Sequence, residues 1–236
     1  MSQVQADRFR HSRVSMIEQL RATNLYNPRV LAVMAELPRH LFVEEALKHY
    51  AYNDNPLPIG SGQTISAPST QALVTSRALC GWSQHGASKL RVLEIGAGSG
   101  YHTALLRALF GEVLSFERVR ALKVQASRRL RALGFQGETI RHGDGLKAQG
   151  PASFDIIIVS AAIAKEPLEL RPLLRPGGRL LIPLGDSLLP LDNSNTRHGS
   201  SAQALHQIDR TLAGRYIQRS IKPAYFVPLL HGAVYG

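Results

Sequence analysis

The sequence predicts an α/β fold: a doubly wound, mostly parallel sheet with a helical addition at the N-terminus and antiparallel strands at the C-terminus. Short apolar runs alternate with helix-like segments over residues 90–183, a pattern typical of parallel sheets that helices cover on both faces. Before this region the periodicity is helical, and after it short apolar segments follow one another without helices. A ligand of such a sheet is expected at the carboxyl ends of its strands.

Each element follows from local patterns and from the turn-forming residues around it. Helices are predicted over residues 8–22, 28–37, 42–49, 68–79, 101–109, 119–133 and 166–174. Strands are predicted over residues 90–95, 112–117, 138–142, 154–160 and 178–183, with antiparallel strands over 204–208, 215–221 and 224–229. Asn27 is expected to cap the second helix, with Pro28 at its first position. Residues 53–68 are expected to form an ordered functional loop and residues 185–201 a surface loop.

Length and composition fit one domain. A chain of 236 residues with 44% hydrophobic residues can bury a sizeable core. We expect residues 1–236 to form a single domain, in which residues 1–82 are a helical and substrate-loop addition and residues 83–236 the ligand-binding core. No segment has the apolar run of a signal peptide or membrane span, so we expect a cytoplasmic location and no membrane partner.

The net charge of +11 raises the question of a nucleic-acid partner. Its densest part, residues 118–131, has apolar residues at helical spacing with basic residues between them, and no aromatic side chains interleave as base-stacking platforms. This pattern favours the solvated face of an amphipathic helix, and we do not expect nucleic acid to bind. The single cysteine, Cys80, has apolar neighbours and is expected to be a buried thiol. The nine histidines show no metal-ligand spacing, so no metal site is expected.

A glycine-rich turn joins the first strand of the sheet to a helix. Gly96, Gly98 and Gly100 allow a ligand to approach bare backbone at the helix N-terminus. Bulky Tyr101 occupies the position where a dinucleotide-binding fingerprint has its third glycine. With Glu94 ahead of it, the pattern is closer to the nucleoside-binding turn of S-adenosylmethionine (SAM) methyltransferases.

Two acidic residues follow the next strands of the predicted sheet. Glu117 ends the second strand, where a carboxylate accepts hydrogen bonds from ribose hydroxyls, although it would also be favourable as a helix N-terminal acid. Asp144 follows the third strand and is expected to accept from an adenine amino group beside Gly145, although an isolated Gly-Asp-Gly is more often a turn. The three features in order predict a SAM cofactor and a Rossmann-like class I SAM-dependent methyltransferase fold.

Several segments together resemble the bacterial protein-L-isoaspartate O-methyltransferase family. They are residues 58–68, 93–101, 141–145 and 226–229, together with residues 38–43, and the match runs from about Val14 to the C-terminus. The resemblance implies methyl transfer from SAM to the free carboxylate of L-isoaspartyl residues in damaged peptides and proteins, which begins their repair through a succinimide. It also implies that Ser66 is the active-site serine, and we assign Thr64 and Ile65 beside it to cofactor binding. We expect a monomer or weak oligomer.

This chemistry suits a site poor in acids and bases, because a carboxylate is already ionised at neutral pH and needs no general base. Ser66 and the backbone of residues 63–66 are expected to orient the carboxylate, the alternative for Ser66 being a helix N-cap. Departures from the family pattern occur at Ser69, His102, Leu146 and residues 163–165. Two alternatives therefore stay open: an RNA methyltransferase, and a divergent SAM-binding protein with weak or lost transfer.

Overall fold

The protein was analysed as a computed structural model that describes residues 8–148, 150, 152–185, 203–223 and 226–235. The α-helices are α1 (Arg10–Ala22), α2 (Pro28–Glu36), α3 (Pro68–Leu79), α4 (Gln84–Ala87), α5 (Tyr101–Leu109) and α6 (Arg120–Ala132). The strands are β1 (Leu57–Gly60), β2 (Gln63–Ile65), β3 (Arg91–Ile95), β4 (Glu112–Glu117), β5 (Ile140–His142), β6 (Phe154–Val159), β7 (Leu174–Leu184), β8 (Ala204–Arg210) and β9 (Tyr216–Pro223). Turns of 3₁₀-helix span Arg39–Phe42, Glu45–Tyr50, Gly145–Lys147 and Leu168–Leu173.

The central sheet has seven strands in the described part of the chain, in the order β5-β4-β3-β6-β7-β8-β9. Strands β3 to β7 pair in parallel, and β8 and β9 continue the sheet in antiparallel fashion. Because β3, β4, β5 and β6 are parallel, their carboxyl ends face the same edge, and the strand order reverses direction at β3. The predicted doubly wound fold with antiparallel C-terminal strands is confirmed.

The N-terminal helices and the β1–β2 hairpin pack against this sheet. One large hydrophobic cluster runs from Phe9 in the N-terminal part to Leu205 in β8, and α2 contacts α5 within it. A second cluster lies on the other face of the sheet and includes Leu93 and Ile157. The N-terminal addition therefore shares a core with the sheet and is held directly over its ligand-binding edge.

Several predicted elements are observed at the predicted bounds: α3, α5 and β4, together with the Asn27 cap of α2, whose side chain accepts from Arg29 N–H at 2.9 Å. Other predictions were wrong. The helix predicted over 42–49 is two 3₁₀ turns, because Val43 between them is extended. The helix predicted over 166–174 is a 3₁₀ turn that contains Pro172, which cannot continue an α-helix.

The segment predicted as an ordered loop, residues 53–68, contains the β1–β2 hairpin. The last predicted strand, residues 224–229, is not a strand where it is described: within 226–229 the only ladder contact is an isolated parallel bridge between Pro228 and Ala162. Proline lacks the N–H that a strand ladder needs. The surface loop predicted over 185–201 lies outside the described residues except for Gly185.

Cys80 is exposed, so the prediction of a buried thiol was wrong. Helix α3 ends at Leu79, and Cys80 is its extended C-cap residue rather than part of the apolar face. The prediction of an amphipathic helix for the basic segment is confirmed: α6 buries Leu122, Ala126 and Leu130 and turns most of its basic side chains toward solvent.

Within the described ranges, no helix combines the length and the apolar character that crossing a membrane requires. The same residues contain no group of three or more histidine, cysteine, aspartate or glutamate side chains arranged to hold a metal ion.

Candidate active site

Two adjoining cavities lie at the carboxyl edge of the parallel strands. Gly96 follows β3, Glu117 ends β4, Asp144 follows β5 and Ser160 follows β6, and all four line this edge. The cavities share the residues Thr64, Gly96, Gly98 and Ser160. A ligand that spans both would therefore run across the glycine turn beneath the β1–β2 hairpin.

The first cavity, with about 470 Å³ of empty space, lies between the hairpin, α3 and the glycine turn. Its polar walls come from residues 63–66, which we call the acceptor segment, from α3, and from the glycine turn with the start of α5. They are Thr64, Ser66, Thr70, Gln71, Ser99 and His102. Ile65 and Phe226 supply apolar surface. In the part of the chain that the structure describes, no aspartate or glutamate lines this cavity, so an anionic ligand group meets no like charge there.

The hairpin places Ser66 directly after β2. Leu57 pairs with Ile65 and Pro58 with Thr64, so Ser66 leaves the ladder at its last pair. Helix α3 begins at Pro68 with Ala67 as its N-cap residue, and a different side chain caps it: Asp54 Oδ1 accepts from Ser69 N–H at 2.8 Å. The alternative that Ser66 is the helix N-cap is therefore wrong. Its hydroxyl has no hydrogen-bond partner among the described residues, which leaves it able to donate or accept within the cavity.

The hairpin and the glycine turn are in close contact. Gly98 has φ +53°, and a Cβ atom there would lie 3.3 Å from Ile59 Cδ1 of β1. A larger residue would be strained at this φ and would require the Ile59 side chain to shift by a few tenths of an ångström. Glycine at this position therefore allows the close approach of the two segments that form the first cavity.

The second cavity, with about 570 Å³ of empty space, is lined by Glu117. Its side chain is buried, with Oε2 accepting from Gly98 N–H at 2.8 Å and Oε1 accepting from Val119 N–H at 2.9 Å. Burial raises the pKa of Glu117, and the two backbone N–H donors oppose that rise. The carboxylate holds the glycine turn through its bond to Gly98 N–H. It also forms part of the cavity wall, where a ligand hydroxyl can reach it.

Asp144 also lines the second cavity, but both of its carboxylate oxygens already have partners. Oδ1 accepts from Leu146 N–H at 3.1 Å, which makes Asp144 the cap of the 3₁₀ turn, as the alternative of a turn aspartate predicts. Oδ2 accepts from Gly232 N–H at 2.9 Å. Gly232 belongs to the C-terminal segment 226–235, which we call the C-terminal strap.

The C-terminal strap passes along the second cavity and lines it with Val227, Pro228, Leu229 and Leu230. Arg118 holds the strap through Nε, which donates to Gly232 O at 3.0 Å. Val234 N–H donates to Arg118 O at 2.7 Å. The strap is therefore tied both to the residue after Glu117 and to Asp144.

Glu94, predicted to bind the cofactor, lines neither cavity. It is fully buried, and Oε2 accepts from Thr103 Oγ1 at 2.5 Å and from Ser115 Oγ at 2.6 Å. Its other oxygen, Oε1, lies 3.3 Å from His102 Nδ1. Because His102 itself lines the first cavity, Glu94 is one side chain removed from it and ties together β3, β4 and α5.

Gly100, also predicted to bind the cofactor, lines neither cavity. It has φ +88°, and a Cβ atom there would lie 3.0 Å from Ala126 Cβ in α6. The absence of a side chain lets α5 and α6 approach each other closely, so its observed role is packing.

Residues 11–233 match the sequence model of the protein-L-isoaspartate(D-aspartate) O-methyltransferase (PCMT) family. The chain belongs to this family. A protein-L-isoaspartate O-methyltransferase from Photobacterium profundum is 40% identical over 228 residues, which are 95% of this chain and 98% of the relative. One from Syntrophus aciditrophicus is 48% identical over 183 residues, 76% of this chain and 80% of the relative.

A solved structure from Plasmodium falciparum, described as a protein-L-isoaspartate O-methyltransferase in complex with S-adenosyl-L-homocysteine, has the same fold. The TM-score is 0.74 at 24% sequence identity, and the alignment covers 92% of this chain and 98% of that chain. Family membership confirms the resemblance on which the sequence-based prediction of activity depends.

Most predicted site residues come together at the two cavities. Those that line a cavity are Thr64, Ile65, Ser66, Gly96, Gly98, Glu117, Asp144 and Gly145. Glu94 and Gly100 do not line either one, and their part in cofactor binding stays a prediction.

Sequence reasoning missed several residues that line the cavities. They are Gln71, His102, Arg118, Ser160 and the C-terminal strap. His102 carried a local signal, since it directly follows Tyr101 after the glycine turn, but a lone histidine is more often structural. Residues 226–229 of the strap resemble the family, but no local pattern places them at the cavity, because the position of the strap depends on contacts with residues more than a hundred positions earlier, such as Arg118.

Proposed function

We propose that this chain transfers the methyl group of SAM to the free carboxylate of L-isoaspartyl residues in damaged peptides and proteins, which begins their repair through a succinimide. The proposed partners are such proteins in the cytoplasm. Family membership supports the activity, and the arrangement of the two cavities supports the assignment of donor and acceptor sides.

One observation carries the proposal: the hairpin that presents Ser66 is in contact with the glycine turn. Ser66 lines the same cavity as Gly96 and Gly98, and Ile59 Cδ1 lies 3.3 Å from the position that a Cβ of Gly98 would take. Donor and acceptor can therefore meet without a large movement of the backbone. Alignment of two reactants in one cavity is the main catalytic contribution that this site can make.

The residues at the second cavity fit the nucleoside part of SAM. Glu117 offers carboxylate oxygens for ribose hydroxyls, while Ile95, Phe116 and Leu229 provide apolar surface for a base. The glycine turn leads from there into the first cavity, where the methionyl part would lie. When bound, SAM supplies a methyl group that its sulfonium has already activated.

The residues at the first cavity fit an acceptor carboxylate. The acceptor forms a bond from a carboxylate oxygen to the methyl carbon as the sulfur–methyl bond breaks and its electron pair remains on sulfur, so no proton is moved. We propose that the Ser66 hydroxyl and the backbone of residues 63–66 hold the carboxylate in line. The absence of acidic side chains at the described wall of this cavity avoids repulsion of the anion.

The test supplies SAM with a labelled methyl group and three acceptors: an isoaspartyl peptide, its aspartyl twin and total RNA. We expect base-labile label on the isoaspartyl peptide alone. Equal labelling of the two peptides would contradict the proposed substrate. Label on RNA would instead support the RNA methyltransferase alternative, and the absence of transfer to every acceptor would support a binding protein that has lost activity.

A further inference from the structure

The largest fully buried side chain of the described protein is a charged one, Arg39. It opens the 3₁₀ turn Arg39–Phe42, directly after Pro38. Its relative exposure is 0%, although arginine is almost never fully buried unless it is paired. Nothing in the chemistry described above uses this residue.

The hydrogen bonds of Arg39 all go to neutral acceptors. Nε donates to Ala51 O at 2.7 Å, Nη1 to Gln71 Oε1 at 2.6 Å and Nη2 to Ser66 O at 2.6 Å. The guanidinium carbon also lies 5.0 Å from the ring centroid of Tyr101. These contacts join the acceptor segment, α3 and the first residue of α5 at one point.

No carboxylate forms an ion pair with Arg39 within the described ranges. Burial lowers the pKa of Arg39 to about 10, so the guanidinium remains charged at neutral pH. The charge of Asp54 acts on it only through space. A buried, unpaired charge is costly to fold around, and such groups are usually paired or bound to a ligand.

Two of the acceptors of Arg39 form the wall of the first cavity. Gln71 reaches it through its side chain and Ser66 through its backbone carbonyl, and both residues line that cavity. The guanidinium therefore lies directly behind the wall that would receive the acceptor carboxylate. Among the described residues, the lining of this cavity contains no acidic side chain, and it contains no arginine or lysine that could balance an anion from inside.

We propose that Arg39 is a positioning residue that supplies the missing counter-charge for the acceptor carboxylate and holds Ser66 and Gln71 in the wall that binds it. This proposal rests on the proposed function. The negative charge of the acceptor carboxylate then adds to the through-space effect of Asp54 on Arg39, and the enzyme prefers an ionised acceptor to a neutral one of the same shape.

The expected size follows from Coulomb's law. A unit charge about 8 Å from a carboxylate, at an effective dielectric constant of about 20, favours binding by roughly 30-fold, and solvent in an open cavity reduces this to on the order of tenfold. A residue that merely holds the wall would change the binding of charged and neutral ligands alike. The preference for charge therefore separates the two roles.

The experiment measures peptide affinity by calorimetry with the enzyme saturated with S-adenosylhomocysteine, so that no methyl transfer occurs. The ligands are an isoaspartyl peptide and the same peptide with its free carboxylate replaced by a carboxamide. We expect the wild type to prefer the carboxylate about tenfold. Arg39→Gln, which removes the charge, should reduce this preference to below about twofold.

Arg107→Gln is the matched control. Arg107 lies on α5, donates a hydrogen bond to Gln136 O at 3.2 Å and lines neither cavity. This variant should keep the full preference. An unchanged preference in Arg39→Gln would overturn the proposal. If that variant does not fold, equal affinity of active wild type for the two peptides would overturn it. A wild type that fails to methylate the isoaspartyl peptide would contradict the proposed function. An active wild type that binds the carboxylate and carboxamide peptides equally would contradict only the proposed role of Arg39.

Discussion

Replacing Glu117 with glutamine changes one carboxylate oxygen at the wall of the second cavity and leaves the shape of the side chain nearly unchanged. The wild-type carboxylate accepts from Gly98 N–H at 2.8 Å and from Val119 N–H at 2.9 Å. Glutamine has one oxygen and one NH₂ group, so one backbone N–H faces another donor. The variant also offers a ribose diol only one neutral acceptor in place of a charged one.

The magnitude follows from these bonds. A hydrogen bond to a charged acceptor contributes about 1.5–3 kcal/mol, so the loss of one such bond to the ribose weakens binding roughly 10- to 150-fold. The free energy of unfolding should fall by a smaller amount, because removing a buried carboxylate offsets part of the lost backbone bond.

The assay is calorimetric titration of wild type and Glu117→Gln with S-adenosylhomocysteine. Glu112→Gln is the matched control, since Glu112 begins the same strand, is exposed and pairs with Arg91 at 2.8 Å. The control should bind as the wild type does. A dissociation constant for Glu117→Gln within about twofold of the wild type would refute the assignment of Glu117 to the ribose.

The pH dependence of stability gives a second comparison of the wild type with Glu117→Gln. Burial raises the pKa of Glu117 above its usual 4.5, so the folded protein binds more protons than the unfolded chain between that pH and the raised value. The stability of ligand-free wild type relative to Glu117→Gln should therefore decrease as pH rises through this window and stay constant above it. Affinity for S-adenosylhomocysteine, which needs the carboxylate, should decrease in the wild type as pH falls through it.

Three further changes test the packing around the site. Gly100→Ala should lower the free energy of unfolding by about 2–5 kcal/mol, because it adds a close contact with α6 to backbone strain. The control Gly134→Ala, at a similar positive φ in open space, should lower it by about 1–2 kcal/mol. Equal losses for the two variants in urea denaturation would contradict the role of the contact with α6. Asp144→Ala should speed amide hydrogen exchange at Gly232 and weaken S-adenosylhomocysteine binding about fivefold, and unchanged exchange would contradict the strap anchor. Glu94→Ala should cost about 3–5 kcal/mol in thermal melts by leaving two buried hydroxyls without their acceptor, and a loss below about 1 kcal/mol would contradict its structural role.

The sequence predicts well what local periodicity and one topological rule determine. Helix α5 and strand β4 have clear periods and clear stop signals, and they were placed at their observed bounds. Parallel strands bring their carboxyl ends to one edge, so Gly96, Glu117 and Asp144 were expected together and do line that edge.

Features that depend on distant partners were not predictable in this way. Glu94 pairs in register with Ser115, and this pairing directs its carboxylate to a buried hydroxyl instead of the cavity. The C-terminal strap resembles a strand in composition, but its position is fixed by Asp144 and Arg118, which are far away along the chain.

Arg39 illustrates the same limit. Residues 38–43 stand out in the sequence only through their family resemblance, because a surface arginine and a buried one look alike in a sequence. Its role emerges only when Ala51, Ser66 and Gln71 are brought around one guanidinium. The contacts that organise this site connect segments whose separation along the chain no local pattern encodes.

The central claim is that Ser66, directly after the hairpin, serves the acceptor while the glycine turn and Glu117 serve the donor. The measurement that tests it most directly is methyl transfer to an isoaspartyl peptide by Ser66→Ala, with the affinity for S-adenosylhomocysteine measured on the same preparation. Ser61→Ala, at the exposed turn of the same hairpin, is the control. We predict that Ser66→Ala lowers kcat by roughly 10- to 100-fold while its dissociation constant stays within about twofold of the wild type. An unchanged kcat, or an equal loss of cofactor affinity, would contradict the account.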